Sequence, residues 1–357
     1  MVTSLSDLPL RANLVGKSPY GAPQDPVAVS LNVNENTHPI PDEVAADITA
    51  ALERAVRTAN RYPDRDFVEL RSALAGYLGH GLSSDQLWAA NGSNEVLQQV
   101  LQAFGGPGRT LLSFTPTYSM YPLLADGTDT GWIDVPRPEG YRLTPEAVVA
   151  ALAEHRPSLV VLCGPNNPTG TPLDREVILA AYDAFDGMLI VDEAYFEFDD
   201  ERESAVTLLE GRPRLMVSRT MSKAFAFAGV RLGYLAADPA VIDALRLVRL
   251  PYHLSALTQA AATTAIKHSA TMLATVADIR NERDRLGAAL TALGYRVHDS
   301  GANFVLVGGF ADPDGMFEAL RARGILIRNL GIDGHLRITA GTEAETSAVI
   351  QAITELG

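Results

Sequence analysis

Residues 159–195 read LVVLCGPNNPTGTPLDREVILAAYDAFDGMLIVDEAY. The stretch opens on an apolar run, Leu159 to Cys163, of the length and composition of a buried strand. A loop with two prolines and two glycines follows, Gly164 to Gly170, and then a helical segment, Asp174 to Phe185. Met188 to Val191 is a second short apolar run, and Asp192 stands at its end. Strand, helix and strand in succession predict two parallel neighbours joined by a crossover.

The same alternation extends in both directions. Upstream, Leu87 to Ala90, Thr110 to Phe114 and Gly131 to Val135 read as strands, with helices at Glu95 to Phe104, near Tyr118 to Leu124, and at Pro145 to Ala153. Downstream, Leu215 to Ser218 and Gly233 to Ala236 read as strands. This predicts an α/β fold with a mostly parallel sheet covered by helices on both faces. Asp42 to Arg57 and Asp66 to Leu78 precede it as helices. Beyond about residue 250 the texture changes. Leu257 to Leu293 is one long helical pattern with a break near His268. Closely spaced short runs follow at Tyr295 to His298, Asn303 to Val307, Ile325 to Ile327 and Leu336 to Thr339, with helices at Pro313 to Arg323 and from Glu343. We expect an arm over residues 1–40, a large domain over 41–255 and a smaller α+β domain over 256–357, with the arm packing beside the small domain.

Composition bounds the function. The 357 residues are 47% hydrophobic, enough for a large core, which excludes a disordered chain. A net charge of −14 argues against duplex nucleic acid and anionic membranes, because it repels phosphates at long range. The single cysteine, Cys163, reads as a small core residue. There is no signal-peptide pattern at the N-terminus and no apolar run that could span a bilayer. A cytoplasmic location is expected. The seven histidines show no ligand spacing, so no metal site is expected.

In parallel sheets ligands bind beyond the carboxyl ends of the strands. Leu87 to Ala90 is followed by Asn91-Gly92-Ser93-Asn94 at a helix start, which is either a plain turn or a phosphate cradle. GPNNPTG follows Cys163; Asp192 and Tyr195 follow Val191; Ser222, Lys223 and Arg231 follow Ser218. Singly, Asp192 could be a helix cap and Lys223 a snorkelling surface residue. Together they offer a cradle, an amide, a carboxylate with a nearby tyrosine, and a lysine with an arginine. Pyridoxal 5′-phosphate needs that set: a lysine for its aldehyde, a carboxylate for its ring nitrogen, donors for its phenolic oxygen and a phosphate site.

At this point the chain resembles the fold-type I aminotransferases and, within them, the histidinol-phosphate aminotransferase family. The resemblance rests on SLNVNENTHPIP (30–41), NRYPDRD (60–66), NGSNEVL (91–97), TPTYSMY (115–121), GPNNPTG (164–170), VDEAYFEF (191–198), SRTMSKAFAFAGVRLGYL (218–235), ANFVLV (302–307) and LRITAGT (336–342). It implies a seven-stranded, mostly parallel sheet and pyridoxal phosphate as cofactor. It implies Lys223 as the lysine that bonds the cofactor and shuttles a proton, and Asp192 as the partner of the ring nitrogen. Asn167 and Tyr195 would bond the phenolic oxygen, and Tyr118 would stack on the ring. Ser93, Asn94, Ser222 and Arg231 would hold the phosphate, joined by Tyr62 from the neighbouring subunit of a homodimer. Arg337 would grip the donor carboxylate, and Arg328 and Tyr20 the distal anion of the substrate. Read alone, Arg328 could equally be a solvated strand-end residue and Tyr20 a packed arm residue. The implied reaction converts L-histidinol phosphate and 2-oxoglutarate to imidazole-acetol phosphate and L-glutamate. An aromatic amino-acid aminotransferase and a threonine-phosphate decarboxylase-like lyase are the alternatives on the same scaffold.

Overall fold

The computed structural model describes residues 7–19 and 21–357. Strand β1 (Val29–Ser30) comes first, then helices α1 (Asp42–Val56) and α2 (Val68–Leu78). The alternating stretch follows as β2 (Leu87–Ala90), α3 (Ser93–Phe104), β3 (Thr110–Thr115), α4 (Met120–Gly127), β4 (Gly131–Pro136), α5 (Pro145–His155), β5 (Leu159–Cys163), α6 (Arg175–Ala184), β6 (Met188–Asp192), β7 (Leu215–Thr220), β8 (Gly233–Ala237) and α7 (Pro239–Val248). The remainder is α8 (Ala256–Lys267), α9 (Ser269–Met272), α10 (Val276–Ala292), β9 (Arg296–Val297), β10 (Phe304–Gly308), α11 (Pro313–Ala322), β11 (Ile325–Leu326), β12 (His335–Thr339) and α12 (Glu343–Leu356).

Seven strands form the large sheet in the order β2-β8-β7-β6-β5-β3-β4. The pairs from β7 through β6, β5 and β3 to β4 are parallel. Strand β8 runs antiparallel to both of its neighbours, β7 and β2. Strand β2 therefore points the same way as the parallel set, and six strands end at one edge. Every residue of β5, β7 and β8 is buried, as expected of strands covered on both faces, which read as continuous apolar runs.

Local chemistry sets where elements begin. Thr144 caps α5 ahead of Pro145, Asp238 caps α7 ahead of Pro239, and Thr342 with Glu345 forms a capping box on α12. Helix α2 begins two residues later than the Asp66 start read from the sequence. The Asp64 carboxylate accepts from the backbone N–H groups of Asp66 and Val68, Phe67 takes a left-handed conformation, and Asp66 turns to pair with Arg249. The long helical pattern breaks at His268, whose ring bonds Asp47. It breaks a second time before α10, where the Thr275 hydroxyl accepts from Asn36.

Two faces of packing follow. The large core takes in α8 through Ala261, Ala262, Ala265 and Ile266, and extends to Met272. A second core forms where β9, β10 and β12 pair antiparallel and lay Val305, Val307, Leu336 and Ile338 against Leu286, Leu290, Val349 and Ile353. Residues alternate across these strands, so Phe304, Leu306, Arg337 and Thr339 occupy the opposite face. Phe304 there meets Tyr195 edge-on at 5.1 Å. Strand β1 pairs in parallel with β11, and Leu31 continues the ladder to Leu326 and Thr339.

Candidate active site

A cavity of about 120 Å³ opens at the common edge of the large sheet. Its wall includes Ser93, Asn94, Tyr118, Asn167, Asp192, Tyr195, Ser222, Lys223, Arg231 and Arg337. These residues come from the ends of β2, β3, β5, β6 and β7, from the start of β8, and from β12 across the cleft.

The floor at β2 is shaped for an anion. Helix α3 starts there, and its first backbone N–H groups, those of Ser93 and Asn94, are not used by the helix itself. Gly92 has φ +90°, and a Cβ there would lie 2.5 Å from Nη2 of Arg231. Gly233 is equally constrained, because its Cβ would stand 2.0 Å from the Ser93 nitrogen. Two glycines thus let a helix N-terminus and a guanidinium converge, an arrangement that suits phosphate in both charge and geometry. The requirement at Gly233 was not read from the sequence, since it depends on β8 lying next to β2.

Asp192 is buried at the end of β6. Its Oδ2 accepts from the Tyr121 hydroxyl at 2.7 Å. Its Oδ1 is buried with no hydrogen-bond partner among the described residues. Burial pushes the carboxyl up to about 6, against the pull of the Tyr121 hydrogen bond. Tyr121 was not singled out from the sequence. The available signal was its spacing of three from Tyr118 at a helix start, which brings the two rings together edge-on at 5.5 Å. Cys163 is the register neighbour of Asp192 and lines the same cavity. Burial pushes its thiol up to about 12, so it is a neutral wall residue.

Lys223 reaches the cavity from the loop after β7, and its Nζ donates to the Val33 carbonyl at 2.8 Å. Burial, followed by the charge of Arg337, lowers its ammonium to about 8. Arg337 donates to Asn167 Oδ1 and to the Asn32 carbonyl, each at 2.6 Å. Asn167 and Asn34 in turn donate to the Tyr195 hydroxyl at 3.4 and 2.9 Å. Asn34 Oδ1 accepts from Thr339. The arm, the large sheet and β12 are therefore wired together around the cavity.

The remaining expected site residues lie elsewhere. Arg328 pairs with Arg337 through two backbone hydrogen bonds, 3.0 and 2.9 Å. Directly opposed residues of an antiparallel pair share a face, so Arg328 stands beside Arg337, which lines the cavity. Tyr62 is 79% exposed and stacks on Tyr252 at 4.3 Å. Tyr20 lies outside the described residues. No cluster of His, Cys, Asp and Glu able to hold a metal occurs among the described residues.

The cavity thus offers an anion cradle, a buried carboxylate oxygen in need of a donor, and an amine depressed toward neutrality. That donor set fits pyridoxal phosphate, with its phosphate, protonated ring nitrogen and aldehyde. The aminotransferase class I and II model matches residues 26–353 of the chain. The chain belongs to the class I and II aminotransferases. Among the relatives of this aminotransferase, a histidinol-phosphate aminotransferase of Paenarthrobacter aurescens is 57% identical, over 99% of this chain and 96% of its own length. One of Mycolicibacterium smegmatis is 54% identical over 99% and 94%. The crystal structure of histidinol-phosphate aminotransferase from Sinorhizobium meliloti, in complex with pyridoxal 5′-phosphate, superposes with a TM-score of 0.83 at 25% identity. That match covers 93% of this chain and 92% of the other.

Proposed function

We propose that this aminotransferase exchanges an amino group between L-histidinol phosphate and 2-oxoglutarate, giving imidazole-acetol phosphate and L-glutamate in L-histidine biosynthesis. The observation that carries the substrate is the 57% identity, over nearly the full length of both chains, to a histidinol-phosphate aminotransferase. Pyridoxal phosphate, when bound, supplies an aldehyde that takes the substrate amine and a protonated ring that draws electrons from the substrate α-carbon.

The chain's own residues do the rest. Ser93 and Asn94 N–H groups, the Ser222 hydroxyl and Arg231 bind the cofactor phosphate. Asp192 Oδ1 holds the proton at the ring nitrogen, and a buried ion pair there is strong because water is excluded. Asn167 and Tyr195 orient the phenolic oxygen, and Tyr118 covers the ring. Lys223 Nζ would take the proton from the substrate α-carbon and deliver it to the aldehyde-derived carbon of the cofactor, across the nitrogen that joins them. An amine depressed to about 8 is partly neutral at physiological pH and can act as that base. Arg337 binds the carboxylate of glutamate, and Arg328 with Tyr20 binds the distal anion. Tyr62 is exposed on its own chain, which supports our reading that it serves the phosphate site of a second copy in a homodimer. We read residues 41–255, extended by α8, as the part that holds the cofactor. Residues 1–40 and the remainder of 256–357 form the part that recognises substrate. A cytoplasmic location accords with a biosynthetic role, and no described helix is long and apolar enough to cross a membrane.

The test is a comparison of kcat/KM for histidinol phosphate, phenylalanine, tyrosine and threonine phosphate, each with 2-oxoglutarate. Histidinol phosphate should lead. Arg328→Ala should lower its kcat/KM roughly ten- to a hundredfold, the typical loss of a charge-assisted hydrogen bond, while barely touching phenylalanine. Equal use of phenylalanine, unaffected by Arg328→Ala, would favour the aromatic reading. Carbon dioxide release from threonine phosphate would favour the lyase.

A further inference from the structure

Tyr121 sits in the first turn of α4 and is 1% exposed. Its hydroxyl donates to Asp192 Oδ2 at 2.7 Å, while Oδ1 of the same carboxylate is buried without a partner among the described residues. Its ring stands at 88° to that of Tyr118, which lines the cavity. One side chain therefore touches both the carboxylate under the cofactor site and the aromatic ring above it. A carboxylate tied at one oxygen by a short, buried hydrogen bond cannot rotate without breaking that bond. Only the other oxygen is then left to accept. Burial pushes the Tyr121 phenol well above its ordinary range, so it remains a donor wherever the enzyme works.

We propose that Tyr121 is a positioning residue that acts through Asp192: it fixes the rotation of the carboxylate, keeps it ionised, and so presents Oδ1 to the cofactor ring while setting the tilt of Tyr118. The proposal rests on the reading that Asp192 faces the ring nitrogen. Of the other groups facing Asp192, only the backbone N–H of Ala194 also favours its charged form, and the phenol is the stronger of the two. Glu193, next along β6, disfavours ionisation by its like charge, and Cys163 of β5 is a neutral thiol. Ser218, its register neighbour on β7, has a hydroxyl with no hydrogen-bond partner among the described residues. Arg137 spends its guanidinium on the carbonyls of Phe114 and Tyr141. A hydrogen bond to the charged form lowers a carboxyl pKa. Removing the Tyr121 hydroxyl must therefore raise that of Asp192, and the ionised fraction must fall on the acid side of neutrality.

The experiment titrates pyridoxal 5′-phosphate into apoenzyme between pH 5 and 8, following cofactor absorbance and tryptophan quenching. Wild type should lose affinity as pH falls through about 6, the value to which burial has brought Asp192. Tyr121→Phe should bind roughly fivefold more weakly at pH 6, because its acid limb should move up by about one pH unit. 3-Fluorotyrosine placed at position 121 keeps the shape and makes the O–H a stronger donor, so its limb should move down. In the Asp192→Asn background, Tyr121→Phe should add almost nothing, as expected for two residues acting as one unit. An unshifted limb in Tyr121→Phe, or an effect that persists undiminished in the Asp192→Asn background, would overturn the proposal. If Tyr121→Phe fails to fold, the fluorotyrosine enzyme decides, and an unmoved limb there is equally fatal. Should Asp192→Asn itself bind cofactor like wild type, it is the reading of Asp192 that fails, and the two failures are told apart.

Discussion

Asp192 and Glu193 are consecutive buried carboxylates that point to opposite faces of the large sheet. Glu193 is saturated. Its Oε2 accepts from Ser204 and from two nitrogens of Arg219, and its Oε1 accepts from the Ala205 backbone. Asp192 has one side-chain donor, the Tyr121 hydroxyl on Oδ2, and its Oδ1 has no hydrogen-bond partner among the described residues. Buried charge is tolerated only when paired and hydrogen-bonded. The complete carboxylate is explained by the protein alone, whereas the incomplete one implies a partner the chain does not supply. Adjacent residues of the same chemical type thus separate into a structural and a functional group by how far their shells are filled.

The most severe test of that contrast is Asp192→Asn. The amide can still accept from Tyr121, so the fold should persist. Stopped assays should show kcat down by at least about a thousandfold, since electrostatic support of a developing charge is lost. A loss under tenfold would place Asp192 with Glu193 as structural. The reciprocal test is Arg219→Met, which strands Glu193 and Glu197 without their cation. Denaturant unfolding should show a loss of about 3–5 kcal/mol, while the cofactor affinity of the folded fraction stays within about threefold. A large affinity loss at unchanged stability would mean that the two faces are not separate.

The smallest effect is expected at His298, a polar group that is satisfied yet titratable. It lies 3.1 Å from His335, Nε2 to Nε2. Burial, then His335 and Arg296, lower it to about 4. A histidine held neutral in the fold adds stability above its unfolded value near 6.5. That contribution fades as pH falls from about 6.5 toward 4. His298→Gln should be less stable at neutral pH and show a shallower acid decline over that window in urea titrations. A parallel decline in both proteins would remove His298 from the account.

Much of this was legible because the strands of a covered parallel sheet are short, wholly apolar runs, and the polar residues at their ends stand out. Leu87 to Ala90 and Leu159 to Cys163 lie where the sequence places them. The motifs at their ends meet in one cavity because six strands terminate at the same edge. What the sequence could not disclose depends on strand order and distant contact. Gly233 matters because β8 lies between β7 and β2, a placement no local pattern encodes. Tyr121 matters because α4 carries it to Asp192, 71 residues away. The Asp66 start of α2 failed because a side-chain cap from Asp64 competed with helix propensity.

The link between the arm and β12 carries a temporal consequence. Arg337 bonds Asn32, and Thr339 bonds Asn34, each across 305 residues of chain. Translation proceeds at roughly 5–20 residues per second, so the arm emerges about 15–60 s before its partners exist. The large sheet has time to close while Val29–Ser30 is still an unpaired strand edge. The cavity is consequently the last part of the enzyme to be completed. A nascent chain stalled before β12 would hold Lys223 and Asp192 with Arg337 still missing from the cavity wall.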